Sequence, residues 1–412
     1  AFDTDEGYQG KGQFLFAMVG AQGNHGAEMD SMMNNNRNSM PRSHPAFYSM
    51  TIIGKGPGSA ALMRLREGAG GKYGNVVLLN PSNSATGVGV QNNDCGSETR
   101  TPSLPAASVS INTYLYFSPN NMIFPAPVTT FSYSNGCTDP GFTMQTSNPG
   151  FANVPSTMFD YNNMDSTFNP LPLAVGTMCT SARDSAPNGD AFYTSVSCKG
   201  AFGSSTDNWF ATYTWLGCAN KLVGGTCTAG RANAVTFANI GDQVEAIGGV
   251  LPQDKSLVSS TSYLLVSQLF VPTGKRLIID AGTSIYALPT TRTAAQSAPS
   301  IIVLKGGKIL AEGQQSYPIT MTSILAESTL RSETLGLTDN AVSGEGTIVL
   351  NERGKWGGLI LLGNAPTNVA TTTQIEGITG YTYGGTVATE SSGTLQYVRV
   401  WHGGAIVGAN NE

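Results

Sequence analysis

Charge is scarce in this chain. Only 12% of its 412 residues are Asp, Glu, Lys or Arg, and the formal net charge is a mild -5. No Lys/Arg stripe interleaved with aromatics occurs, so a nucleic-acid partner is excluded. Long apolar runs are also missing. The longest, Gly357 to Gly363, has the length of a strand and falls far short of the roughly 18 residues of a membrane span. Histidine occurs only at His25, His44 and His402, with no Gly-x-Ser-x-Gly elbow, which leaves a Ser-His-Asp centre unsupported. The glycine-rich stretches at Lys11 and at Gly68 to Gly71 lack the Walker spacing that cradles phosphate. No Asn-x-Ser/Thr acceptor is present, and only weak Asn-x-Cys sites remain at Asn93 and Asn135. The candidate glycan sites are therefore O-linked, in clusters around Thr290 to Thr293 and Thr371 to Thr373. No secretion signal opens the chain, so a removed leader or a longer precursor is expected.

Cysteine is sparse and unevenly placed. All six residues, Cys95, Cys137, Cys179, Cys198, Cys218 and Cys227, fall within one stretch. An even number so confined predicts disulfides and an oxidising, extracellular or cell-surface setting. No pair has zinc-finger spacing. Cys218 and Cys227 close a short glycine-containing loop and are the pair expected first.

What the chain has in abundance is glycine, 50 residues of it, arranged in a repeat. Val271-Pro-Thr-Gly274 leads through Leu277, Ile278 and Ile279 to Asp280, and about thirty residues on Val303-Leu-Lys-Gly306 leads through Ile309 and Leu310 to Glu312. Both read as apolar strand, glycine turn, apolar strand, acidic turn. A looser third copy runs from Gly354 to Gly363. This alignment predicts one stacked apolar ladder through Leu277, Ile309 and Leu359. Short glycine-bounded strands with little helical periodicity give an all-β solenoid, whose coils bury their apolar faces only against coils above and below.

The same pattern predicts coils over residues 1–80, with strands at Gln13 to Val19, Ala27 to Asp30, Phe47 to Ile53, Ala61 to Arg66 and Asn75 to Leu79. Residues 81–230 lose the periodicity and read as a disulfide-stapled, loop-rich region. Strand-like pieces persist there at Val109 to Phe117, Met122 to Tyr133, Ala191 to Cys198 and Asn208 to Trp215. Residues 231–260 read as a connector with a short helix over Phe237 to Val250, and residues 261–412 as coils again.

Several of these strings resemble a family of secreted right-handed parallel β-helix surface proteins, seen as bacterial outer-surface lipoproteins and in extracellular proteins of microbial eukaryotes. They are Ala1 to Gly10, Gly200-Ala-Phe202 with Asn208-Trp209, Val271-Pro-Thr-Gly274 with Asp280-Ala-Gly282, Gly354 to Gly363, and Gly393 to Val400. The resemblance implies a right-handed parallel β-helix and no activity that can be carried over. It also implies that module halves stand in reversed order here: residues 1–80 match the late half of a module and residues 261–412 the early half.

Three groups are candidate sites. Asp3, Asp5, Glu6, Glu28 and Asp30 would supply hard oxygen ligands for calcium if their turns stack. With Arg64, Arg66 or Lys72 as base, the same carboxylates would sketch a polysaccharide lyase or glycosidase. Trp209, Tyr213 and Trp215 would offer a sugar-stacking face or, as strand aromatics more often do, a packed one. The reading favoured is non-enzymatic: a structural subunit of an extracellular filament or surface appendage. Copies would join head-to-tail through uncapped coils at Phe2, Phe14 and Phe16 on one side and Tyr397, Val398, Val400 and Trp401 on the other. The alternative is a secreted carbohydrate-binding or carbohydrate-cleaving β-helix protein.

Overall fold

The computed structural model describes residues 2–20, 23–31, 39–55, 60–80, 87–95, 115–127, 129–137, 139–154, 166–185, 189–218, 221–226, 244–288, 297–323 and 354–408. They form two compact units. The first comprises Ala1–Trp209 with Thr367–Val369, and the second Phe210–Pro366 with Ala370–Glu412.

In the first unit the strands are β1 (Phe2–Thr4), β2 (Lys11–Met18), β3 (Ala27–Met29), β4 (Ala46–Ile53), β5 (Met63–Arg66), β6 (Gly71–Gly74), β7 (Val77–Leu79), β8 (Val88–Asn93), β9 (Leu115–Phe117), β10 (Met122–Phe124) and β11 (Thr129–Tyr133). One face of the coil stacks β1, β3, β5, β8 and β11, all in parallel. The other two faces share β2 and β4. The first half of β4 carries β6 and then β9, and its second half carries β7 and then β10. The bend between those halves falls on residues in the left-handed region, Phe14, Ser49 and Asn75 (φ 59°, 59° and 53°). A single such residue turns the chain from one face to the next without breaking the ladder on either side.

Alternation decides what is inside. Met29, Met50, Ile52, Met63, Leu65, Tyr73, Leu78, Val90 and Ile123 point inward and form one core. The coils run on past residue 80, because Leu115, Phe117, Ile123 and Phe131 supply inward side chains even where polar sequence interrupts the repeat. Tyr73 and Phe117 stack with centroids 4.7 Å apart, close to the spacing of neighbouring strands. Phe142 and Met144 close this end, packing on the same core, and Gln145 bridges to Met122.

Beyond these coils lie an antiparallel pair, β12 (Phe151–Asn153) and β13 (Asn169–Pro172), and the short helix α1 (Thr177–Thr180). Two disulfides staple the unit, Cys95–Cys137 and Cys179–Cys198. Ala191 to Cys198, expected as a strand, forms turns, since its hydrogen bonds go to the coil beneath and to its own loop. Met178 packs with Val77 and Met122. Gly200 N donates to Asn75 O (2.9 Å), and Ala201 N to Thr51 Oγ1 (2.9 Å).

Residues 208–215 also depart from the strand expectation. They hold α2 (Trp209–Tyr213), followed by α3 (Trp215–Cys218). The hydroxyl of Thr214 donates to Phe210 O, and Cys218 N donates to Thr214 O, both local bonds of a helical turn. Cys218 is disulfide-bonded, and Cys227 lies outside the described residues.

The second unit repeats the plan with β14 (Val244–Val250), β15 (Lys255–Leu257), β16 (Ser262–Val271), β17 (Arg276–Ile279), β18 (Ser284–Ala287), β19 (Ser300–Val303), β20 (Lys308–Glu312), β21 (Ile319–Ser323), β22 (Gly358–Leu361), β23 (Gly393–Gln396) and β24 (Val398–Val400). The first half of β16 carries β18, β21 and β24, and its second half carries β19 and β22. The third face is β15, β17, β20 and β23. The helix expected over Phe237 to Val250 is, in its described part, the strand β14. It pairs with both halves of β16, where ladder hydrogen bonds and the burial of Ile247 outweigh a weak local helical signal.

The repeat alignment holds for its first two copies and shifts for the third. Leu277 pairs with Ile309 as expected, but Leu359 pairs with Ile301 on another face. The apolar strand of the third copy precedes the corner instead of following it.

Candidate functional site

The acidic candidates gather on the outer side of the β1–β3–β5 face. Asp3, Glu28 and Arg64 lie in one register. Two arginines answer the carboxylates. Arg64 Nη1 lies 3.3 Å and Arg66 Nη2 3.2 Å from Glu28 Oε1, while Arg66 Nε is 2.8 Å from both oxygens of buried Asp30. Burial raises the carboxyls of Asp3 and Asp5, with neighbouring acids adding to the effect. Glu6 sits at the corner with φ 50°, its backbone N–H held by Asp5 Oδ1.

This arrangement is an ion-pair network. Among the described residues, no group of three or more His, Cys, Asp or Glu side chains is set to hold a metal. In the structure Arg64 and Arg66 neutralise Glu28 and Asp30, two of the carboxylates named as calcium candidates. The bond to Asp30 holds the Arg66 guanidinium above its already high ordinary value. Lys72 is on a different face, in register with Ala46 and Tyr116, and is not brought to the carboxylates.

The assembly candidates divide. Phe2 is half-buried against the core, as is Leu15. Phe16 instead faces the stapled loop, edge-on to Phe202 at 6.0 Å, and Phe14 occupies the corner beside Gly203. Both phenylalanines are outward on β2, where the adjacent loop residues Phe202 and Gly203 lie against them, while Leu15 and Ala17 take the inward positions.

On the second unit, Val398 and Val400 do share a face. Val398 stacks on Ile319 and Val400 on Met321, both wholly buried, yet Val400 is 45% exposed. Leu395, in register with fully buried Ala311, is 46% exposed. Tyr397 forms the corner between β23 and β24 (φ 47°), with its ring 5.8 Å from that of Tyr213. Trp401 lies under the Arg399 guanidinium, and its carbonyl accepts from Trp356 Nε1 at 2.7 Å. The neighbouring His402 is pushed down to about 4 by burial, and its Nδ1 is 2.9 Å from Thr322 Oγ1.

A feature with no forewarning in the sequence is a cleft of about 580 Å³ between the β4–β6 corner and the stapled loop. Its lining includes Tyr48 and Tyr193, whose rings pack together, Ser49 and Asn75 from the corners, and Arg183 and Asp184, the last hydrogen-bonded to Asn75. The lining comes from segments far apart in the chain, one of them held by the Cys179–Cys198 disulfide.

Stacked parallel coils with three faces and left-handed corners are the geometry of a parallel β-helix. The profile of a domain described as pectate-lyase like beta helix matches residues 1–140, 249–337 and 345–412. The chain belongs to the pectate-lyase-like β-helix family. Its matched segments include the coil strands of both units except most of the first strand of the second, and they leave out residues 141–248, which hold the stapled loop. No curated protein and no solved structure matches the chain. For this β-helix protein the reading of function therefore rests on its own residues.

Proposed function

We propose that the protein is a structural subunit of an extracellular assembly, extended by adding coils from one copy onto the exposed coil of another. A single observation carries the reading: Leu395 and Val400 occupy inward positions in β23 and β24, yet each is nearly half exposed, while the residues they stack on are wholly buried. Covering two half-exposed aliphatic side chains contributes roughly 1 kcal/mol each. The ladder hydrogen bonds of an added strand fix its direction and register.

The occupant that fits is the β1–β2 segment of a second copy. β23 is a third-face strand and β24 begins the next coil on the first face. β1 and the start of β2 belong to those same two faces and follow in the same order. Phe2 and Leu15 are the half-buried inward residues on that side. Such a contact joins two different surfaces and grows into a filament when it does not close into a ring. This order also restores the module halves that the sequence presents reversed. The disulfides fit an oxidising, extracellular setting. In a non-enzymatic role Arg64 and Arg66 serve to hold Glu28 and Asp30 on the face of the coil.

The test is electron microscopy of the purified protein, with sedimentation at rising concentration. Elongated particles and mass that grows with concentration are expected for the wild type. Leu395→Asp with Val400→Asp should give discrete single particles with an unchanged far-UV spectrum. Elongated particles formed equally well by the double variant would overturn the reading.

A further inference from the structure

We infer that, within the assembly proposed above and resting on it, two copies meet in one register: Leu395 of one copy stacks over Thr4 of the next and Val400 over Gly12, with Thr394 and Gln396 donating to Asp3 and Asp5. The backbone corners carry this register. Among the described residues, nine other than glycine have φ between 47° and 61°. Seven of them are in the first unit, where they form two columns. Glu6, Glu67, Asp94 and Asn135 each stand two positions beyond Thr4, Leu65, Asn92 and Tyr133, which share one register on the β1–β3–β5 face. Phe14, Ser49 and Asn75 stand two positions beyond Gly12, Phe47 and Tyr73, again a single column.

The other two are Tyr397 and His402, both in the β23–β24 coil, two positions beyond Leu395 and Val400. Elsewhere in the second unit the described left-handed positions are glycines, such as Gly282 and Gly306. Residues other than glycine are strained in this region, so a corner that recurs without glycine is a built feature of its coil. The β23–β24 coil thus carries the corners of the first unit. Alternation excludes a slip of one residue, which would turn Leu395 and Val400 outward. The corners exclude a slip of two, which would set a left-handed residue beside an extended one and break the ladder. Matching Tyr397 to Glu6 and His402 to Phe14 leaves the register given above. The longer interval from Glu6 to Phe14 is taken up between Gly7 and Gly10, ahead of β2.

The outward side chains are complementary in the same register. Asp3 and Asp5 have no ion-pair partner among the described residues, since Arg64 and Arg66 pair with Glu28 and Asp30. Thr394 and Gln396 are exposed. The register sets the Thr394 hydroxyl beside Asp3 and the Gln396 carboxamide beside Asp5. Each carboxylate gains a donor and meets no acid on the added strand, because β23 reads Gly-Thr-Leu-Gln.

The test mixes full chains carrying Leu395→Cys with full chains carrying either Thr4→Cys or Phe2→Cys, follows assembly by sedimentation, and then reads new disulfides by mass spectrometry. Residues in register on neighbouring strands have Cα atoms about 4.8 Å apart, within the roughly 4.4 to 6.8 Å that a disulfide spans, and a two-residue offset takes them to about 8 Å. The bond from position 395 to position 4 should form at least tenfold more readily than that to position 2. Gln396→Glu should raise the concentration for half assembly roughly 2- to 5-fold, and Asp5→Asn should restore it. Assembly in which position 395 joins position 2 equally well, or in which Asp3→Asn restores what Asp5→Asn does not, overturns the register and leaves the assembly standing. Discrete particles in which a Thr4→Cys, Leu395→Cys double variant closes its own bond keep the pairing of these positions and overturn the assembly. Discrete particles without that bond overturn both.

Discussion

Leu395 lies in register with Ala311, one coil apart on the same face, yet Ala311 is completely buried and Leu395 is 46% exposed. Inside a solenoid the two positions are equivalent, so the difference measures what a further coil would cover. Val400 over Met321 repeats the relationship on the neighbouring face. Leu395→Ala should therefore cost little in folding, under about 1 kcal/mol by chemical denaturation, whereas truncations at buried ladder positions cost about 2 to 5 kcal/mol.

The interior ladder gives the contrasting case. Leu277 and Ile309 pair in register and neither is accessible to solvent. Ile309→Asp should place a carboxylate without a partner among apolar side chains and unfold the second unit, a loss of at least about 4 kcal/mol. A cooperatively folded variant of normal stability would show that the ladder has been misassigned.

Lys199 predicts an unusual dependence on pH. It is wholly buried, its Nζ bonds Gln145 Oε1 at 2.9 Å, and burial pushes the ammonium down to about 8. A lysine depressed in the folded state holds fewer protons there than in the unfolded chain, between pH 8 and its ordinary value near 10.5. Stability should rise with pH across that window, by roughly 3 kcal/mol at most. Above about pH 10 the buried tyrosines act in the opposite sense, because Tyr193, pushed up to about 12, stays neutral when folded and ionises when unfolded. Lys199→Met should flatten the rise between pH 8 and 9.5 in urea titrations.

The ion-pair network on the β1–β3–β5 face can be tested by removing one side of it. Arg66→Ala leaves buried Asp30 without its bidentate partner and should destabilise the first unit by about 2 kcal/mol, discounted for the partial exposure of the arginine. Chelation with EDTA should leave the melting temperature of the wild type where it is. A fall of several degrees on chelation would restore calcium to these carboxylates.

How much of this was legible in the sequence depends on which physical signal each part carries. Gly274 and Gly306, both at φ above 70°, mark turns that favour glycine, and the apolar strands beside them alternate cleanly, so the coils from Ser262 to Glu312 could be read directly. The misplacement of Leu359 has a simple cause: strands before and after a corner are both short, apolar and glycine-flanked, so composition does not say which face they join. The coils at Leu115 to Tyr133 were hidden because their few inward residues, Leu115, Phe117, Ile123 and Phe131, are set among long stretches of polar sequence. The acidic residues were found, but sequence spacing could not show that Arg64 and Arg66, some 36 positions from Glu28 and Asp30, lie in the adjoining strand. The cleft was invisible because Tyr48 and Tyr193 meet only where the stapled loop packs on the coil.

The central claim, that another copy covers Leu395 and Val400, is tested most directly by a photo-crosslinking residue at position 395 in an equal mixture of isotopically light and heavy protein, assembled together and mapped by mass spectrometry. The account predicts crosslinks to the segment from Phe2 to Met18, with about half of the crosslinked pairs joining a light peptide to a heavy one, as random mixing of copies requires. Crosslinks formed only between peptides of the same isotopic label would place the covering coil within the same chain and contradict it.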